Sequence, residues 1–334
     1  MLENVEIQNI LSRFGLSFEC VTTLHDTSHG EDDTRLNYIL DERYVLKVNT
    51  VGVMWEARLQ EINRLIGRYR NIGVYCPALI PTLEGPLSCF WEKDGNEYIC
   101  YVEEFAIYPL LGWDVDHDRK EVVEHLGVLA ARYTDVDLSE TKSMWSIIDL
   151  APLDVDIDEK QENTNTLVAA LRENGDTDLA DQVDSLNNEM RKQIMTVFAE
   201  LPRCVYQGDL NSSNELHQDG HFVGLIDFNL SGTEVNINVF VNETNCFPEE
   251  AEFDQLSVEQ IVEKMKNEQA DMLSVIFMHY TMNEVERFVF PYYQRIADLF
   301  QWPNVCSMVK WLKEDTRKDK CVALIRALTE KPLA

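Results

Sequence analysis

Residues Cys204–Gly232 read CVYQGDLNSSNELHQDGHFVGLIDFNLSG, and three features are stacked in them. Val205 and Tyr206 form an apolar approach to the pair Gly208-Asp209. Asn214 lies five residues beyond Asp209. Glu215–His217 and Phe222–Asp227 then read as two strands joined by Gln218-Asp219-Gly220, which has hairpin turn chemistry. The second strand ends in Ile226-Asp227-Phe228. Asp and Asn are common in turns, so this spacing alone says little. The ordered string of loop, hairpin and apolar strand ending in an acid is far more specific.

That string resembles the catalytic loop and metal-binding pair of kinases. The Gly before Asp209, and Asn229 where protein kinases carry Gly, resemble the aminoglycoside phosphotransferase and choline kinase superfamily. Gln207-Gly208-Asp209-Leu210-Asn211-Ser212-Ser213-Asn214 is similar to that family's His-Gly-Asp-Leu-His-x-x-Asn at Gly208, Asp209, Leu210 and Asn214. It departs at Gln207 and Asn211, where the family usually has His; both replacements can still hydrogen-bond and hold the loop. Phosphoryl transfer to a hydroxyl needs a carboxylate to orient and deprotonate the acceptor, which suits Asp209. It also needs hard oxygen ligands for Mg2+, which suits Asn214 and Asp227.

The resemblance implies an α+β, bilobal protein-kinase-like fold, with a small antiparallel β-sheet lobe and a large, mostly helical lobe. The element pattern agrees. Ile7, Ile10, Leu11 and Phe14 fall at helical spacing. Strands are expected near 18–25, 35–40 and 43–49, then a helix over about 53–70, then strands near 88–93 and 97–105 around the turn Asp94-Gly95-Asn96. After Pro109 the pattern turns helical: one helix carries Val122, Leu126, Leu129, Ala130 and Tyr133, others are expected near 162–174, 178–200, 256–266, 269–287 and 291–300, and a last pair after Pro303. The expected division is 1–106, a nucleotide-binding lobe with the interlobe strand, and 107–334, a catalytic and substrate lobe.

A kinase-like small lobe requires a strand lysine for the α- and β-phosphates. Lys47 in Tyr44-Val45-Leu46-Lys47-Val48 supplies it. A lone strand lysine is ordinarily an exposed edge charge; its place ahead of an acid-bearing helix and upstream of the catalytic string favours the phosphate role. Glu56 is the expected helix partner of Lys47, with Glu61 as competitor. The loop between the first two strands holds one glycine, and Ser28 and the backbone of His29 and Gly30 are expected to donate to phosphate. The backbone of Glu104, Phe105 and Ala106 is expected to bond the edge of the nucleobase, as the resemblance implies.

The chain has 59 acidic side chains against 29 Lys and Arg, a formal net charge of −30. Such a field repels nucleic acid and anionic lipid and attracts cations. It fits either a solubility effect or a cleft for an amine-bearing substrate. Acids are expected to hold the substrate's amines: first Glu234 with Asn236, then Glu249, Glu250 and Glu252, in a stretch from 246 to 263 that lacks Lys and Arg. Asp154–Glu159 invites a calcium-loop reading, but Glu159 sits where such a loop needs Gly. The eight cysteines form no CxxC pair and read as reduced core thiols. The segment MLENVEIQN has neither a basic nor an apolar leader region, and no apolar run approaches 18 residues. The expectation is a cytoplasmic protein without nucleic acid or membrane partners.

The expected reaction moves the γ-phosphate of ATP or GTP to a hydroxyl of a small cationic molecule, with Mg2+. An aminoglycoside is the first acceptor, and antibiotic resistance the setting that goes with it. A metabolic kinase for choline, an amino alcohol, a sugar or a hydroxy amino acid is the alternative. An inactive nucleotide-binding module is the alternative of another class. No Ala-Pro-Glu string follows Asp227-Phe228, so a protein-kinase activation segment is missing.

Overall fold

A computed structural model describes residues 1–29, 33–52, 54–111 and 119–330. The chain forms two compact units, Met1–Asp116 with Asn211–Asn229, and His117–Leu210 with Leu230–Ala334. This differs from a single cut after residue 106, because the 211–229 segment counts with the first unit. The reason is backbone bonding: Tyr75 N donates to Val223 O (2.9 Å), Leu225 N to Tyr75 O (2.9 Å) and His217 N to Pro109 O (3.0 Å).

The first unit runs α1 (Asn4–Ser12), β1 (Val21–Asp26), β2 (Arg35–Leu40), β3 (Tyr44–Thr50), α2 (Glu56–Asn71), β4 (Leu79–Ile80), β5 (Ser88–Lys93) and β6 (Asn96–Glu104). The strands form one antiparallel sheet in the order β1-β2-β3-β6-β4, with β5 also on β6. Period-two alternation gives the sheet two faces. Leu36, Tyr38, Leu40, Leu46, Val48, Cys100 and Val102 meet Ile7, Ile10, Leu11 and Phe14 of the α1 segment in one core. A capping box of Glu3 and Glu6 starts α1. Asn37, Ile39, Val45, Lys47, Tyr101 and Glu103 fall on the opposite face by register.

The second unit holds α3 (Lys120–Tyr133), α4 (Glu159–Glu173), α5 (Thr177–Met195) and β7 (Arg203–Tyr206). The chain then contributes the hairpin β8 (Glu215–Gln218) and β9 (His221–Leu225) to the first unit. Its turn is Asp219-Gly220, both with positive φ, a two-residue hairpin loop, whereas Gln218, expected in the turn, ends β8 and pairs with His221. The second unit resumes with β10 (Gly232–Val235), α6 (Asn236–Glu243), α7 (Glu250–Gln255), α8 (Val258–Phe277), α9 (Glu284–Phe300), α10 (Trp302–Leu312) and α11 (Lys318–Glu330). Strand β10 pairs antiparallel with β7.

Two helical expectations are revised. Helix α8 runs unbroken across 267–268, because no Gly or Pro interrupts it and Ser257 caps its start. Helix α9 begins seven residues before Pro291, because Asn283 accepts from Glu286 N (2.8 Å) and forms a capping box with it. Short α6 and α7 were not foreseen. Of the cysteines, Cys76, Cys100, Cys204 and Cys321 are buried, whereas Cys20 and Cys306 are exposed, so the core reading holds for only part of the set. Among the described residues no helix is long and apolar enough to cross a membrane.

Candidate active site

In the first unit, a cavity of about 500 Å³ opens on the sheet face opposite α1. Its walls include Ile39, Val45, Lys47, Glu103 and, from the hairpin's end, Ile226 and Asp227. Glu104, the last residue of β6, and Phe105 and Ala106 just after it also line the wall. The backbone N–H of Phe105, however, already donates to Arg43 O (2.9 Å), and that of Glu104 to Ala78 O (2.9 Å). Those two donors are spent inside the sheet unit. Ser28 lies just beyond β1, where its Oγ accepts from Arg35 N (2.9 Å) and its N–H donates to Asp26 (3.0 Å). Gly30 lies outside the described residues.

Lys47 is 8% exposed and its Nζ sits 3.1 Å from Glu103 Oε1. Burial alone would depress its pKa, but Glu103, Tyr101 and Asp227 outweigh that and raise it, so the ammonium is held protonated. Burial pushes the Glu103 carboxyl up, and Lys47 opposes the rise. The expected partners on α2 are elsewhere. Glu56 accepts from Ser88 Oγ (2.5 Å), Gln60 Nε2 (2.7 Å) and Leu87 N (2.9 Å). Glu61 pairs with Arg58 at 3.2 Å. The pairing of Lys47 with either α2 acid is therefore replaced by pairing with a strand acid. Sequence reading missed Glu103 because strand register across 56 residues is not written locally; only the alternation that puts Tyr101 and Glu103 on one face pointed toward it.

Asn214 and Asp227 come together through the hairpin. Ile226 N donates to Asn214 O (2.9 Å), which sets the residue before Asp227 against Asn214. Asp227 adopts a left-handed backbone (φ 54°), a conformation Asp tolerates better than most residues. Its Oδ1 accepts from Asn229 N (3.3 Å). An amide oxygen and a carboxylate are hard donors of the kind that magnesium takes.

Asp209 stands in the second unit, three residues after β7 ends. Gly208 precedes it with φ 82°, and a Cβ there would lie 2.3 Å from Leu230 O. The buried Gln207 accepts from Asp209 N (2.6 Å) through its side chain. In the first unit, Asn211 Oδ1 accepts from Ser213 N (3.0 Å). The two departures from the family pattern thus do hold their loop by hydrogen bonds.

The acids expected to meet a substrate are engaged in structure. Glu234 is 4% exposed and accepts from Ser146 Oγ (2.8 Å). Asn236 is fully buried, accepts from Tyr206 OH (2.8 Å) and donates to Thr134 Oγ1 (2.8 Å). Glu249 and Glu252 form the capping box of α7. Glu250 pairs with Arg317 at 2.7 Å and with Lys310, and Glu252 pairs with Lys264 at 3.2 Å. Their own stretch lacks cations, but α8, α10 and the segment before α11 bring them, so Glu250 and Glu252 stand in ion pairs and Glu249 in a helix cap.

A family model described as the phosphotransferase enzyme family matches residues 27–234, more than half of the chain. The chain belongs to the phosphotransferase enzyme family. This phosphotransferase is a small-molecule kinase acting on hydroxyl groups, with a mixed α/β, kinase-like fold that joins an antiparallel sheet to a helical part. Among solved structures it is similar to an amicoumacin kinase in complex with AMP-PNP, Ca2+ and Ami (11% identity, 98% of this chain and 94% of that one, TM-score 0.55). It is also similar to a microcompartment-associated aminopropanol kinase (10% identity, 98% and 95%, TM-score 0.51). A third is a spectinomycin phosphotransferase in complex with ADP and spectinomycin (13% identity, 98% and 98%, TM-score 0.50). At these identities the likeness speaks to the fold. No curated protein matches this phosphotransferase.

Proposed function

We propose that this phosphotransferase moves the γ-phosphate of ATP or GTP to a hydroxyl of a small amine-bearing molecule. The observation that carries the reading is Lys47 and Asp227 on the walls of one cavity, with the Glu104–Ala106 segment beside them. A buried ammonium, kept charged, suits a polyphosphate, and the mostly apolar remainder suits a nucleobase. Asp209 accepts the acceptor's proton as its oxygen attacks the γ-phosphorus, and the bond from that phosphorus to the bridging oxygen breaks to release the nucleoside diphosphate. Lys47 holds the phosphates in line. Asn214 and Asp227 hold magnesium, which when bound neutralises charge on the phosphate oxygens.

The acceptor class rests on two supports. A net charge of −30 draws cations to the molecule. Structural neighbours are named for an aminopropanol, an amicoumacin and a spectinomycin activity. An aminoglycoside is the first acceptor to test. An amino alcohol is the second, on the strength of the aminopropanol kinase neighbour. The test is ADP or GDP release with magnesium and either nucleotide across aminoglycosides, amino alcohols, choline, sugars and hydroxy amino acids. One acceptor class should give a signal that falls by about 10³-fold in Asp209→Asn. Nucleotide binding without turnover on any acceptor would favour the inactive binding module, and no nucleotide binding at all would sink the reading of Lys47 and Asp227.

A further inference from the structure

We infer that Glu103 of β6 is the positioning residue for Lys47, in the place of a helix glutamate, so that the phosphate-binding lysine is set by the sheet itself. This inference rests on the nucleotide reading above. The register gives the first argument. Lys47 lies opposite Tyr101 and Val45 opposite Glu103, so Lys47 and Glu103 are diagonal neighbours on one face of an antiparallel pair. Long side chains reach across that diagonal, and the two heads meet at 3.1 Å.

The second argument comes from α2. It turns Leu59, Ile62 and Ile66 toward the small space behind Lys47, which Tyr101, Glu103 and Phe228 also line. No acid of α2 lines that space. Glu56 lines a different cavity, with Arg13, Thr82 and Phe90, and its carboxylate is occupied by Ser88, Leu87 and Gln60. Glu61 is held by Arg58, whose guanidinium also donates to Asn229 O (3.3 Å). The helix thus presents a cation to the end of the metal-binding hairpin, and the carboxylate for Lys47 comes from β6.

The functional consequence is that Lys47 needs no movement of α2 to be placed. Both members of the pair are borne on adjacent strands, and groups on regular elements are placed more precisely than groups on loops. Glu103 acts through Lys47, so the two should behave as one unit in a double-mutant cycle.

The experiment compares wild type, Glu103→Gln, Lys47→Met, the double variant and Glu56→Gln. ADP release from magnesium–ATP is followed with water as acceptor and with the acceptor that the panel identifies, and adenosine affinity is measured by calorimetry. Glu103→Gln should lower kcat tenfold or more while adenosine affinity stays within twofold. The double variant should be no slower than Lys47→Met within threefold, and Glu56→Gln should stay within twofold of wild type. If Glu103→Gln does not fold, Glu103→Asp takes its place in the cycle. Losses that multiply in the double variant, a Glu103 effect below twofold, or a collapse on Glu56→Gln equal to that of Lys47→Met would overturn the inference while leaving the nucleotide reading intact. Failure of wild type to bind magnesium–ATP would overturn both.

Discussion

Glu234 shows how strongly burial acts on a single side chain here. It pairs in register with Cys204 of β7, it is enclosed by the second unit, and desolvation pushes its carboxyl up to about 7 despite bonds from Ser146 and Val235. A carboxyl with a folded pKa above its unfolded value binds its proton more tightly in the native state. Its contribution to stability is therefore full below the unfolded value of 4.5 and is lost as pH rises through 7. A displacement of that size is worth roughly 3 kcal/mol. Thermal melts at pH 5 and pH 8 should show wild type losing more stability across that interval than Glu234→Gln, which has no proton to lose. Equal losses would mean that Glu234 does not titrate in this window. The same enclosure is what removes Glu234 and Asn236 from any substrate surface.

At the scale of elements, the turn from β7 into the Asp209 loop depends on backbone space. Gly208 combines a left-handed φ with a contact that leaves no room for a methyl group beside Leu230 O. Gly208→Ala must displace backbone, and overpacking of this kind costs about 1–3 kcal/mol. Denaturant unfolding should report that loss, and phosphate transfer should fall with it because Asp209 is the next residue. A stable variant with wild-type turnover would contradict this account of the loop. Helices α3 and α8 approach each other on the same principle: a Cβ at Gly127 would lie 2.4 Å from Ile276 O. The loop before Asp209 and this helix crossing both use glycine to admit a carbonyl.

The whole molecule carries an excess of 30 negative charges. Exposed ion pairs such as Lys264–Glu268 and Arg172–Asp181 are each worth little, whereas the repulsion among unpaired acids accumulates over the surface. Raising salt from about 10 mM to about 200 mM shortens the screening length from tens of ångströms to less than about 10 Å. Thermal stability should therefore rise by several degrees over that range, despite weaker surface pairs. A falling melting temperature would mean that the paired clusters, such as Arg317 with Asp254, Glu250 and Glu314, outweigh the repulsion.

Local chemistry was legible without the fold. The two hairpin turns, the alternation in β2 and β3, the order of strands before helices, and the string from Gly208 to Asp227 each depend on residues close in sequence, and the sequence by itself determined them. Gln207 and Asn211 were likewise readable as loop-holding groups, since each bonds a backbone N–H two residues away. What tertiary structure decided was pairing over long separations. The partner of Lys47 lies 56 residues away across a strand register, the cations facing Glu250 lie 60 and 67 residues away, and the core that buries Asn236 is assembled from Thr134, Tyr206 and Tyr280. A charged side chain reads the same in sequence whether it faces water, a cation or a cavity. Only the packed chain fixes its neighbours, and it is the neighbours that decide whether an acid binds a substrate, caps a helix or holds a lysine.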